Sequence, residues 1–353
     1  MEKATLTGLF PEEISDLLPK NKEKYRGQQI FRWIHERCAV SFEEMSNLQK
    51  AFREEIQKNF YIGTLRNICI LSSSDGFTHK YLWELQDGNR IESVVIRDGE
   101  RTTVCISSQV GCKMGCSFCR TAHMGYIRNL TAGEIIDQLI HIRRILRASG
   151  EDITNIVFMG MGDPLENLEA VIKAIRIITM ETGLSIGMRK ITVSTCGIIP
   201  GITNLAREFK RIGLAISLNA PDDHLRSELM PINRRYPLPL LLDAAHEFTR
   251  LTKRRVTFEY ILINDVNDSL ECATKLLSIA RRIPSKVNLI AFNEFDGCPY
   301  KKPSDKTIET FQKILFEGNV TALIRKSRGE DILAACGQLA SSLRKNQTFT
   351  GDV

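Results

Sequence analysis

No stretch of this 353-residue chain strings together the ~18–20 apolar residues that a membrane-crossing helix needs, so a spanning anchor is not expected. A strong excess of one charge is missing too. Lys and Arg number 48 against 42 Asp and Glu, a net +6 that permits an acidic polymer as partner without demanding one. The start, Met1-Glu2-Lys3-Ala4-Thr5, lacks the basic-then-apolar layout of a secretory leader. Low-complexity segments and long linkers are likewise absent. Ten cysteines are present, but three of them crowd into the run 112–119, unlike a secreted disulfide framework. A reducing, cytoplasmic setting is therefore expected. With 43% hydrophobic and 25% charged residues, the chain has material for one large domain and a small one.

The run Cys112-Lys113-Met114-Gly115-Cys116-Ser117-Phe118-Cys119 has the spacing C-x3-C-x2-C. Thiolates hold [4Fe–4S] clusters, normally four at a time. Three on one short loop leave one iron with a free position. The amino and carboxylate groups of S-adenosylmethionine can fill it, and one electron can then split that molecule to a 5′-deoxyadenosyl radical. The spacing resembles the signature of the radical-SAM superfamily. A zinc knuckle is the competing reading, with His123 as fourth ligand, although zinc sites favour paired C-x2-C arms.

Periodicity gives short helices over the first ~65 residues, at Arg26–Arg37 and Phe42–Phe60. Lys20, Lys22, Lys24, Arg26, Arg32 and Arg37 cluster there, as a solvated face or as phosphate contacts. Strand-like runs follow at Asn67–Leu71, Lys80–Leu85 and Arg90–Ile96. A βα rhythm then begins. Its strands are Thr102–Ile106, Asn155–Phe158, Lys190–Val193, Leu214–Leu218, Val256–Ile263 and Val287–Ala291. Helical patterns separate them at 132–148, 166–182, 201–211, 238–252, 269–282 and 304–317. The first helix opens on Thr131 and Glu134, a capping-box pair. The expected fold is α/β: an incomplete (βα)6 barrel with a small N-terminal helical domain and added β-strands. The expected divisions are 1–65 (helical accessory unit), 66–97 (strand extension), 98–345 (partial barrel with a C-terminal cysteine segment) and 346–353 (tail).

Polar and glycine-rich signals follow each barrel strand, on the rim where parallel α/β barrels build their sites. They are the cysteine loop, Met159-Gly160-Met161-Gly162-Asp163-Pro164, Ser194-Thr195-Cys196-Gly197, Ser217-Leu218-Asn219-Ala220, Asn264 with Asp265, and Asn293. Gly162 would let backbone approach a ligand closely, and Asp163 would accept from an amino group or ribose. Ser194, Ser217 and Asn219 offer short hydrogen-bonding arms, and Asn293 suits an adenine edge. Each alone reads equally as a turn or cap. Cys105 ends the first strand, and Cys336 sits beside Gly337 near basic Arg325, Lys326 and Arg328, which favour a thiolate. Cys38, Cys69, Cys196, Cys272 and Cys298 read as buried small hydrophobes, and Glu92 as a solvent-facing strand residue. Basic pairs and triplets at Arg234-Arg235, Lys253-Arg254-Arg255, Arg281-Arg282 and Lys301-Lys302 are further candidates for phosphate contact.

Several stretches together resemble the RlmN/Cfr family of radical-SAM RNA methyltransferases. They are Cys105-Ile106-Ser107-Ser108-Gln109-Val110-Gly111, Arg128-Asn129-Leu130-Thr131, the Gly160–Pro164 loop and Met230-Pro231-Ile232-Asn233-Arg234-Arg235-Tyr236. Arg325-Lys326-Ser327-Arg328-Gly329, leading to Ala335-Cys336-Gly337-Gln338-Leu339, completes the set. The resemblance implies 2-methyladenosine formation in 23S rRNA and also in tRNA, with two molecules of S-adenosylmethionine per turnover and an electron donor such as flavodoxin. It implies that Cys112, Cys116 and Cys119 ligate the cluster, that Cys336 carries the methyl group, that Cys105 resolves the adduct and that Glu92 is the general base. Gly162, Asp163, Ser194, Ser217, Leu218, Asn219 and Asn293 would bind S-adenosylmethionine. Asp163 stands where the family commonly has Glu, and Asn219 where His is frequent. Methylation at C8, as in Cfr, and a non-catalytic metal-binding RNA module remain the alternatives.

Overall fold

A computed structural model describes residues 3–19 and 25–340, so Lys20, Lys22, Lys24 and the expected tail lie outside the described residues. The amino-terminal unit comprises β1 (Ala4–Thr5), α1 (Pro11–Leu17), α2 (Tyr25–Phe31), α3 (Lys50–Ile56) and β2 (Phe60–Tyr61). α2 runs on as a π-helical turn over Arg32–Glu36. The expected run from Phe42 to Phe60 is broken, because only a 3-10 turn at Phe42–Glu44 precedes the irregular backbone before α3. In that gap Asn47 Oδ1 accepts the Trp33 indole N–H at 2.5 Å, a side-chain bond that favours turn over helix.

β3 (Leu65–Ser72), β4 (Thr78–Leu85) and β5 (Arg90–Asp98) form an antiparallel meander joined to β6 (Arg101–Cys105). A short ribbon, β7 (Gln109–Gly111) with β8 (Tyr126–Asn129), brackets the cysteine loop and the one-turn α4 (Arg120–His123). The alternating part continues with α5 (Ala132–Ala148), β9 (Asn155–Phe158), α6 (Leu168–Thr179), β10 (Ile191–Thr195) and α7 (Ile199–Glu208). Next are β11 (Gly213–Ser217), α8 (Asp223–Leu229), α9 (Leu238–Thr252) and β12 (Val256–Leu262). α10 (Leu270–Arg282), β13 (Ser285–Ala291), α11 (Asp305–Glu317) and β14 (Ala322–Arg325) complete it.

One ten-stranded sheet results, in the order β14-β13-β12-β11-β10-β9-β6-β5-β4-β3. From β6 to β14 all neighbours pair in parallel, which adds a seventh strand to the six expected. The sheet curls: a single cavity is lined by Val94 of β5, Thr103 of β6, Thr257 of β12 and Leu323 of β14. Strand parity separates core from cavity. On β12, Tyr260 packs its ring against Phe311 of α11, while Thr257, Glu259 and Ile261 line the interior. None of the described helices is long and apolar enough to cross a membrane.

The segment after β14 crosses the open side of the curl. Arg328 pairs with Asp98 at 2.8 Å, and Asp331 Oδ2 accepts the Ser74 N–H at 2.7 Å. Lys80 Nζ donates to the Leu333 carbonyl at 3.2 Å, and Ala340 N–H to Glu92 Oε2 at 2.9 Å.

The amino-terminal unit docks on the first two turns of α5. Asp137 Oδ2 accepts from Thr64 N, Thr64 Oγ1 and Leu65 N at 2.6, 3.1 and 3.0 Å. A Cβ on Gly133 would stand 2.5 Å from the Thr7 carbonyl, far inside contact distance. Gly133→Ala should therefore lift this unit off α5, lowering stability by about 1–3 kcal/mol. Denaturant titration measures the loss, and limited proteolysis should show earlier cleavage within residues 3–62.

Candidate active site at the strand ends

The cysteine loop is shaped by a backbone contact that only glycine permits. Gly111 has φ +75°, and a Cβ there would lie 2.0 Å from the Gly125 carbonyl. That same carbonyl accepts the Cys112 N–H at 2.8 Å, which closes the loop at its neck. Ser117 N–H donates to Leu229 O at 3.0 Å, tying the loop to α8. Cys112, Cys116 and Cys119 all line one cavity of about 140 Å³. Burial pushes the Cys112 and Cys119 thiols up, so the pocket holds them as thiolates only with a compensating cation. Among the described residues no three His, Cys, Asp or Glu side chains converge on one point, as a mononuclear zinc site requires. A four-iron cube would take each thiolate at a different iron, and three thiols on the wall of one cavity suit it. His123, the candidate zinc ligand, points Nε2 at the Ser117 carbonyl at 3.0 Å and its ring at Phe295.

The same cavity is lined by Gly162, Asp163, Ser194, Ser217 and Asn219. Leu218 is fully buried and does not line it; its N–H donates to Glu259 O at 2.9 Å and its carbonyl accepts from Arg226. Asn293 borders a second, larger cavity of about 640 Å³ and donates to the Cys336 carbonyl at 3.0 Å. Asn264 and Asp265 line neither cavity and bond to each other at 2.6 Å. Gly162 serves the framework: at φ +90° its missing Cβ leaves room for Gln109, whose side chain would otherwise lie 2.5 Å away. Gln109 Oε1 in turn accepts the Asp163 N–H at 2.9 Å. Asp163 accepts from Leu165 N, Thr195 Oγ1 and Cys196 N at 2.9, 3.0 and 2.6 Å, bracing the loops after β9 and β10. Burial nonetheless raises its carboxyl to about 6. Asn219 occupies the left-handed region at φ +57°, which asparagine tolerates, and its Oδ1 accepts Ile261 N–H at 2.9 Å.

Arg226 and Glu259 went unassigned in the sequence, and Arg325 was noted only as a basic neighbour of Cys336 and as part of the family resemblance. Arg226, fully buried, donates to the carbonyls of Cys196, Ser217 and Leu218 at 2.6, 3.2 and 3.2 Å, gathering two rim loops. Glu259 and Arg325 line both cavities; an acid on an apolar strand was the one available hint of the former. Cys196 also proves more than a core filler, with its Sγ 3.9 Å from that of Cys116.

Cys336 lines both cavities, and Cys105 lines the larger one. Burial, with the nearby Cys336 adding to it, pushes the Cys105 thiol up to about 12. Glu92 is not solvent-facing. It is 2% exposed, ion-paired to Lys80 at 3.3 Å and raised by burial against the pull of that lysine. It shares a strand face with Val94 and Ile96, which line the larger cavity. Lys253-Arg254-Arg255 and Arg281-Arg282 precede β12 and β13, at the opposite end from this site, and so do not border it. Of the amino-terminal basic face the described residues are Arg26 and Arg37, which lie over the rings of Phe52 and Trp33, and Arg32, which pairs with Glu36.

Residues 106–276 match the model of the Radical SAM superfamily, and residues 5–62 match that of the ribosomal RNA large subunit methyltransferase N-terminal domain. The dual-specificity RNA methyltransferase RlmN of Pelobacter propionicus is 48% identical, covering 97% of each chain. That of Geotalea uraniireducens is 46% identical over 98% of this chain and 99% of its own. A crystal structure of a radical SAM methyltransferase from Sphaerobacter thermophilus superposes with a TM-score of 0.93 at 43% identity, covering 96% of this chain and 100% of that one.

Asp163 yields a pH test in the cluster-free chain. Its folded value, about 6, lies above the ordinary 3.8, so between these the native state binds the extra proton. This contribution to stability is present below pH ~4 and declines as pH rises to ~6, by roughly 3 kcal/mol in all. Denaturation series at several pH values should show that decline flattened in Asp163→Asn relative to wild type.

Proposed function

The chain belongs to the RlmN family of radical SAM RNA methyltransferases, and from that premise we propose that it forms 2-methyladenosine in 23S rRNA and in tRNA, passing the methyl group through Cys336. Cys112, Cys116 and Cys119 would hold a [4Fe–4S] cluster, which when bound would provide one-electron reductive cleavage of S-adenosylmethionine to a 5′-deoxyadenosyl radical. Gly162, Asp163, Ser194, Ser217, Leu218, Asn219 and Asn293 are the proposed S-adenosylmethionine site. Adenine C2 is an electron-poor carbon bearing hydrogen, so it cannot simply displace a methyl group from a sulfonium. Cys336 meets that difficulty by taking one methyl group as a thiolate nucleophile and presenting the sulfur-bound carbon, after hydrogen removal, to C2. Two molecules of S-adenosylmethionine are used in each turnover. Glu92 takes the ring proton. Cys105 attacks Cys336 to free the product, the adduct's odd electron would return to the cluster that lent it, and the resulting disulfide is returned to thiols in a reducing compartment, the cytoplasm. Flavodoxin fits the role of electron donor.

The observation that carries this reading is the place of Cys336 in a wall common to both cavities, with Cys105 bordering the larger. One thiol can there face the cofactor side and the substrate side in turn. Methylation at C8 is the second outcome that the same equipment allows.

Cys336→Ala should abolish RNA methylation, a loss beyond 1,000-fold, while leaving iron content unchanged. Cys105→Ala should accumulate a covalent protein–RNA adduct visible on denaturing gels. Mass spectrometry of digested 23S rRNA and tRNA reports reaction, position and substrate together. Full turnover by either variant removes that cysteine from the mechanism, and 8-methyladenosine in the digest replaces the C2 assignment.

A further inference from the structure

Glu259 stands at the middle of β12, in register with Ser217 of β11 on one side and Asn288 of β13 on the other. Its Oε1 accepts from Asn288 Nδ2 at 2.9 Å. Its Oε2 is buried with no hydrogen-bond partner, although the residue is only 6% exposed and borders both cavities. An unpaired buried carboxylate oxygen is costly, so its position marks a place for a missing donor. Burial pushes this carboxyl up, and the Arg325 charge opposes the rise. Arg325 itself lines both cavities, and its guanidinium donates to the Met159 thioether at 3.9 Å, a weak acceptor. A carboxylate short of a donor and a guanidinium short of a good acceptor therefore border the same space as Cys336.

A ligand satisfying both carries a donor next to an acceptor on one rigid edge. The Watson–Crick edge of adenine does so, with the N6 amino group, N1 and C2 following one another around the ring. We propose that Glu259 and Arg325 read this edge of the target adenosine, Glu259 accepting from N6 and Arg325 donating to N1, which presents C2 to Cys336. Guanine reverses both polarities, with an acceptor at position 6 and a donor at N1, and is refused. C8 lies on the far side of the ring, so the same contacts choose C2. The inference rests on the adenine-C2 reading above and adds to it the residues that choose base and position.

The cofactor also carries an adenine, so the test has two arms. In the first, RNA bearing adenosine or purine riboside (which lacks the amino group) at the target is compared with wild type and Glu259→Ala. Wild type should lose about 10- to 100-fold in kcat/KM without the amino group. Glu259→Ala should show a comparable loss on adenosine and no further loss on purine riboside. An equal amino-group penalty in both enzymes, or none in wild type, overturns the inference. Glu259→Leu, which fills the space without an acceptor, runs the same cycle if the alanine variant does not fold. In the second arm, binding of S-adenosylmethionine is compared with that of its analogue lacking the adenine amino group. Coupling of Glu259 to that amino group hands the subsite to the cofactor and overturns the inference. The mass of Cys336 in wild type is read separately: a thiol that never carries a methyl group sinks the proposed function, whatever the cycle shows.

Discussion

The buried ion pair between Lys80 and Glu92 fixes the part of the chain on which the chemistry depends. Both side chains are shielded from water, and each also holds the backbone of the C-terminal segment: Lys80 at the Leu333 carbonyl, Glu92 at the Ala340 N–H. Cys336 lies between those two points. Burying a pair of charges gives little net stability, but removing one partner typically costs about 3–5 kcal/mol because the other is stranded. The pair is therefore better understood as a device that determines where a segment sits. It also bears on the proposed role of Glu92 as a base: each carboxylate oxygen has a second lone pair, so a proton can be taken up while the Ala340 bond is kept.

A second buried charge organises the opposite wall. Parallel pairing from β6 to β14 sends every following loop out of the same edge, which brings polar loops together without specifying their shape. Arg226 supplies shape. Its planar fork of donors reaches carbonyls on the loops after β10 and β11 at once, and Nη1 reaches Asn233 at 2.8 Å, a set of angles a lysine cannot match. Asp163 performs the complementary task from β9, accepting where Arg226 donates. The rim is thus cross-braced by one cation and one anion, neither of which forms an ion pair with the other.

Long, regular elements were legible in the sequence because their signals are redundant. α5 and α9 occupy the expected spans, and at the start of α5 the Thr131–Glu134 capping box is formed in both directions, at 3.2 and 2.8 Å. β14 was not legible: four residues long, with Leu323 and Ile324 exposed, it has no alternating pattern to read. The β7–β8 ribbon escaped for the same reason, although it sets the neck of the cysteine loop. At the site, residues announced by spacing were found, while those acting through position were not. Gly162 shows the difference. Its glycine character was assigned to ligand approach, yet the side chain of Gln109, 53 positions earlier, is what requires it. Nothing local in a sequence records that contact.

Why the proposed acceptor thiol sits on a strap and not on a barrel strand follows from what it must face. A strand residue has its side-chain direction set by the pleat and its height set by the register, so its place in the interior is fixed by the sheet. Cys336 instead precedes Gly337, which adopts φ +82° and meets nothing closer than 3.7 Å where a Cβ would be. The strap is pinned on this side by Arg120 N–H and Thr121 Oγ1, donating to the Gly337 and Leu339 carbonyls at 2.8 and 2.7 Å. Those donors belong to α4, directly after the cysteine loop. The segment carrying the thiol is consequently anchored to the turn directly after the proposed cluster-ligand loop, and to β4 and β5 on the other side. Two hydrogen bonds thus tie the position of Cys336 to that of the cysteine loop across the cavity between them.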